Sequence, residues 1–217
     1  MSERHTPVVG FIGGVGSGKS SLTKWISEKL NAAVISADEA GHRALEQPEV
    51  KERIREHFGP GVFDDADTIV RSRLATRVFG SDEPQQAARR QLEQIVHPEI
   101  RRDLERQIAV AGQSSDLILL DAAVMLESGW RDACDAVVYV DVPLEVRRER
   151  VQRTRRWSAE VLASREASQW PLDVKRAAAD VSIDNSDSLE RAGQQFLNWY
   201  ETWSRSHPHG GDKRRMN

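Results

Sequence analysis

The chain has 217 residues, of which 39% are hydrophobic and 30% charged. That is enough apolar content for one folded domain and too much for a disordered chain. Acidic residues outnumber basic ones by 34 to 31, a net charge of −3, which argues against bulk binding of nucleic acid. Cys134 is the sole cysteine, so no intrachain disulfide and no cysteine-based zinc site can form; it reads as a small buried apolar residue. No long apolar run and no signal-peptide pattern occur, the profile of a soluble, cytoplasmic protein with no membrane partner.

In chain order, Val8 to Ile12 reads as a buried strand running into a glycine-rich turn, Gly13 to Gly18. A helical period follows from Lys19 to about Leu30, with Leu22, Trp25, Ile26 and Leu30 on one face. Ala33 to Ser36 is a second short strand. From Asp38 to about Ala111 the pattern is helical and highly charged, with breaks expected at Gly59-Pro60-Gly61, at Pro84 and at His97-Pro98. Leu117 to Leu120 and Ala136 to Val140 are apolar runs of the kind found in the core of a parallel sheet. A very basic helix starts after Pro143. Ser158 is placed to cap the next helix, which Pro171 breaks. Val181 to Ile183 is a minimal last strand, and Ser186 or Asp187 would cap a final helix ending near Trp203. The polar stretch 204–217 is expected to be disordered. Strands alternating with helices predict an α/β sandwich with a mainly parallel sheet, and the long helical insert suggests a substrate lobe.

The run Gly13-Gly14-Val15-Gly16-Ser17-Gly18-Lys19-Ser20 matches the phosphate-loop pattern GxxxxGK[ST] at every fixed position. It also lies between a strand and a helix, as the pattern requires. Glycines let such a loop curl with its N–H groups inward, and the following helix N-terminus favours anions. Lys19 then reaches the β- and γ-phosphates of a nucleoside triphosphate, and Ser20 ligates Mg²⁺. Ser21 completes the nucleotide-binding run.

The loop does not specify the reaction. A kinase also needs a group to orient and deprotonate the acceptor hydroxyl, and cations for the migrating phosphoryl group. Asp38, just past the second strand, is the candidate base; the same position also suits a helix N-cap. The candidate cations are Arg147, Arg148, Arg150, Arg153, Arg155 and Arg156, with Arg150 and Arg153 close to one helical turn apart. Asp121 ends a strand where some phosphate-loop proteins hold Mg²⁺ through water. Trp157 would either shield a base or pack, with packing favoured. His207 and His209 resemble a metal pair but fall in the polar tail.

Taken together the motifs resemble the dephospho-CoA kinase family from about Val8 to about Trp203. The resemblance is carried by VGFIGGVGSGKSSL, ISADEAGHRAL, VRSRLATRVF, LEQIVHPEI, VYVDVPLEVRRERV, SREASQ and KRAAADVSIDNSDSLE, in that order. LEQIVHPEI is the most discriminating. The resemblance implies a phosphate-loop, three-layer α/β sandwich with a five-stranded parallel sheet, in one kinase domain over residues 1–203. Its core would be 6–37, 115–146 and 178–203, with a helical substrate lobe at about 38–114 and a lid at about 147–177. It further implies ATP-dependent phosphorylation of the ribose 3′-hydroxyl of dephospho-CoA by a monomer. By position, Asp38 matches the proposed base and contacts substrate, Lys19 and Ser20 match the phosphate and metal ligands, and Arg150 matches a lid arginine. Arg71 and His97-Pro98 match the substrate lobe, and Asn185 an adenine-side loop.

Three departures stand out. Ser36-Ala37-Asp38 replaces Asp-Ala-Asp. Ala123-Val124-Met125-Leu126-Glu127 replaces Pro-Leu-Leu-Phe-Glu. Thr154 occupies the place of the second lid arginine, leaving Arg153 or Arg155 to substitute. The rival readings are another small-molecule phosphate-loop kinase, such as a nucleoside monophosphate kinase, a nucleotide switch, or an RNA-binding protein using its arginine clusters. Against a switch, the chain has no Asn-Lys-x-Asp tetrapeptide.

Overall fold

The computed structural model describes residues 5–78, 80 and 82–207. Apolar runs set the strands: β1 (Val8–Gly13), β2 (Ala32–Ser36), β3 (Leu117–Asp121), β4 (Ala136–Asp141) and β5 (Val181–Asp184). They form one sheet in the order β2-β3-β1-β4-β5, with every pairing parallel. The central strand β1 is buried throughout, as a strand covered on both faces must be.

Alternation along β1 sorts its side chains between two layers. Val9 and Phe11 join Leu22 and Ile26 of α1 (Lys19–Ser27) and Ala192 and Phe196 of α9 (Leu189–Ser206) in one apolar cluster. Gly10 points the other way, where a Cβ would come within 2.7 Å of Met125 Sδ and 2.8 Å of Cys134 Sγ. Cys134 is buried there, as its composition-based reading expects. Between β4 and β5 come α6 (Leu144–Arg155), α7 (Ala159–Ala167) and α8 (Leu172–Ala177).

By its contacts the chain divides into two units, residues 37–107 and the remainder. The first of these comprises α2 (Ala37–Ala44), α3 (Pro48–Phe58), α4 (Arg71–Val78) and most of α5 (Glu83–Ala111). It has its own core of Val50, Ile54, Val62, Phe63, Leu74 and Ile95.

Three local expectations are corrected. The helix does not break at His97-Pro98: α5 runs 29 residues with Pro98 inside it. A proline costs an interior helix one hydrogen bond, and α5 keeps the rest of its ladder together with i,i+4 pairs Arg89–Glu93 and Arg101–Glu105, each at 2.9 Å. The cap of α9 is Ser188, whose Oγ accepts from Arg191 N at 3.2 Å. Ser186 instead closes a turn on Asp184, its N donating to Oδ1 at 2.9 Å. Finally, α9 continues past Trp203 to Ser206, so the first residues of the polar stretch are helical. A ladder of rings extends it, with Trp199 on Trp203 at 5.8 Å and Trp203 on His207 at 4.9 Å. His209 and the rest of the tail lie outside the described residues. Ser158 caps α7 as expected, its Oγ accepting from Val161 N at 3.4 Å.

Candidate active site

The loop between β1 and α1 takes its shape from glycine. Gly13, Gly16 and Gly18 have φ of 150°, 79° and 85°, a region costly for residues with a Cβ. There is also no room: a Cβ on Gly13 would meet Val140 O at 2.6 Å, and one on Gly18 would meet Asn185 Nδ2 at 2.6 Å. Lys19 folds back over the loop, its Nζ donating to Gly13 O at 3.2 Å and Gly14 O at 3.3 Å. Lys19 is 8% exposed, so its charge is concentrated at the loop rather than dispersed into solvent. Ser17 is fully buried, and its Oγ lacks a hydrogen-bond partner in the structure. A curled loop of this type, with a buried ammonium and an orphaned hydroxyl, fits a polyphosphate.

Ser20, in the first turn of α1, donates to Asp121 Oδ2 at 2.5 Å. Parallel pairing brings Asp121 there, because β3 lies beside β1 with Phe11 opposite Asp121. The sequence raised Asp121 as a water-mediated metal partner, and the structure joins it directly to the hydroxyl expected to ligate Mg²⁺. A hydroxyl and a carboxylate are hard oxygen donors of the type Mg²⁺ takes. Among the described residues no group of three or more His, Cys, Asp or Glu that could hold a metal ion is found.

At the far end of the loop, Asn185 is 3% exposed and donates to Ser17 O at 2.7 Å. Arg150 donates to Asn185 O at 2.8 Å and Ser17 O at 3.4 Å. The loop after β5 is thereby tied to the phosphate loop through one guanidinium. Of the other basic residues on α6, Arg155 lies 4.8 Å from the Trp157 ring, and Arg165 approaches the same ring at 5.5 Å. Arg153 is exposed. Arg147, which the sequence did not separate from its neighbours, is 4% exposed and donates to Val15 O at 3.3 Å. The available signal was spacing: Arg147, Arg150 and Val151 share a helix face.

In the helical unit, Asp38 lies in the first turn of α2 with its side chain exposed. The helix begins one residue earlier, at Ala37, so Asp38 is not its cap. Arg71 is exposed in the first turn of α4. His97 is half-buried in α5, and its pKa is lowered chiefly by that burial, with Glu93 pulling up and Arg89 pulling down. A cavity of about 530 Å³ opens in this unit, lined by Arg43, Gln47, Arg53, Arg102, Asp103 and Arg106 among others. Neither Arg71 nor His97 lines it.

A parallel sheet of this order, a phosphate loop after β1, and a Ser–Asp pair at the start of α1 define a phosphate-loop kinase fold. Shikimate kinase from Acinetobacter baumannii shares that fold, with a TM-score of 0.54 at 15% identity, covering 92% of this chain and 95% of that one. The family profile for dephospho-CoA kinase matches residues 7–191, and the chain belongs to that family. A dephospho-CoA kinase from Rhodopirellula baltica is 36% identical over 186 residues, 85% of each chain. A solved structure from Thermus thermophilus superposes with a TM-score of 0.74 at 30% identity, covering 90% of this chain and 98% of that one. Among the described residues no helix is long and apolar enough to cross a membrane.

Proposed function

We propose that the chain transfers the γ-phosphoryl group of ATP to the ribose 3′-hydroxyl of dephospho-CoA, giving coenzyme A and ADP. The observation that carries this reading is the built phosphate loop, with Lys19 buried on it and Asn185 fastened to its end, in a chain of this family. Gly13 to Ser21 hold the triphosphate, Lys19 neutralises its charge, and Asn185 borders the nucleotide. Mg²⁺, held through Ser20 with Asp121 beside it, would supply further neutralisation of the polyphosphate. Arg71, His97 and Pro98 contribute to holding the acceptor.

In the transfer, the acceptor oxygen bonds to the γ-phosphorus as the bridging P–O bond breaks. The electron pair leaves on ADP, and the hydroxyl proton passes to the Asp38 carboxylate. Arg150 stabilises the charge that develops. Fixing both reactants in line supplies most of the rate, since little covalent work is left to the protein. An assay of ADP release with dephospho-CoA, with nucleoside monophosphates and without acceptor tests the reading. Release that depends strictly on dephospho-CoA is expected. Release with a monophosphate and none with dephospho-CoA would favour the rival kinase and overturn it.

A further inference from the structure

Arg147 is unlike the rest of the basic run on α6. Its guanidinium is buried and serves three acceptors: Nε donates to Val142 O at 3.1 Å, and Nη1 to Val15 O at 3.3 Å and to the Glu166 carboxylate of α7. It presses on the loop itself. A Cβ added to Gly14 would come within 2.9 Å of Arg147 Nη1 and 3.1 Å of Glu166 Oε1. One added to Gly16 would come within 3.0 Å of the Arg147 carbonyl. The helix and the loop therefore meet without a spare atom between them.

The consequence follows from peptide geometry. No peptide bond among the described residues is cis, so the N–H of Gly16 points opposite the Val15 carbonyl. A guanidinium that holds the carbonyl on one side thereby turns the N–H to the other. Glu166 in turn holds the guanidinium, through a charge-assisted bond with its carboxylate only partly exposed.

We propose that Arg147 is a positioning residue for the phosphate loop and that Glu166 of α7 acts through it, so that α7 controls how well the loop grips the triphosphate. Arg155 instead lies over the Trp157 ring, and Arg153 is exposed. The inference rests on the loop's being the ATP site.

The test is the dissociation constant for ATP, measured by calorimetry, beside kcat, the KM of each substrate and the melting temperature. Arg147→Met is expected to weaken ATP about ten-fold, the loss of one charge-assisted hydrogen bond. At saturating ATP, kcat and the acceptor KM hold. Glu166→Ala is expected to weaken ATP about three-fold, a smaller loss because Arg147 keeps its carbonyl partners. The double variant should be no worse than Arg147→Met alone, since Glu166 works only through Arg147. Should Arg147→Met fail to fold, Glu166→Ala decides alone. Unchanged ATP affinity, with or without a lower melting temperature, overturns the latch, as do losses that add in the double variant. Wild-type protein that binds no ATP would overturn the nucleotide reading and the latch with it.

Discussion

Asp38 is placed by its neighbours rather than by a partner of its own. Ser36 ends β2 and Ala37 starts α2 without an intervening loop, so a residue two past the strand is carried into the first helical turn. Its carboxylate is exposed there, and the proposed transfer gives it the hydroxyl proton. Asp38→Asn keeps the volume and removes the proposed proton acceptor. The expected result is a fall in kcat of about 10²–10⁴-fold with ATP affinity retained; titration of nucleotide binding beside turnover checks both. His97 gives a second test at this scale. Burial lowers its pKa from the ordinary 6.5, so the folded protein disfavours the imidazolium. Below about pH 6.5 the unfolded chain then binds more protons than the folded one, and stability falls as pH falls through that window. Urea unfolding at pH 7.5 and 5.5 should show the loss, and His97→Asn should reduce it.

Elements show why parts of this fold are legible and others are not. The strands are, because Val8 to Ile12, Leu117 to Leu120 and Ala136 to Val140 are unbroken apolar runs, and each forms a buried strand within one residue or so of its reading. The phosphate loop is, because three glycines at fixed spacing admit few other conformations. Pro98 misled, because a local rule about proline cannot weigh the 29-residue helix around it. The cap of α9 slipped by one or two residues because Ser186, Asp187 and Ser188 all suit the role. Tertiary contact decides such cases, as it does where α9 crosses α1. A Cβ on Gly193 would come within 2.2 Å of the Trp25 ring, and a rigid indole in contact with Lys29 and the sheet cluster has little freedom to withdraw. Gly193→Ala is therefore expected to cost about 1–3 kcal/mol by overpacking, although alanine is the better helix former. Chemical denaturation of the variant measures the sign directly.

At the scale of the whole molecule, what the sequence cannot display is which distant segments a buried charge ties together. Lys175 looks like one more basic residue among many, yet it is fully buried. Its ammonium donates to Ala123 O at 2.6 Å and Gln169 Oε1 at 2.9 Å, and lies 2.9 Å from Glu127 Oε1. Three acceptors use all three of its donors. Trp170 N also donates to Glu127 Oε1, at 2.8 Å. One ammonium thus joins α8, the end of α7 and the loop that follows Asp121, whose carboxylate meets Ser20. Glu127, the acid of the Ala123-Val124-Met125-Leu126-Glu127 segment, is therefore held from two sides, by Lys175 and by the Trp170 backbone. Removing only the cation leaves a carboxylate in a largely buried site, so Lys175→Met is expected to cost about 3–5 kcal/mol. Glu127→Gln in the same chain removes the stranded charge and keeps an oxygen for Trp170 N, so the double variant should recover part of that loss. Urea unfolding of the two variants beside the parent tests this. A double variant less stable than Lys175→Met would show that the carboxylate does its work without the lysine.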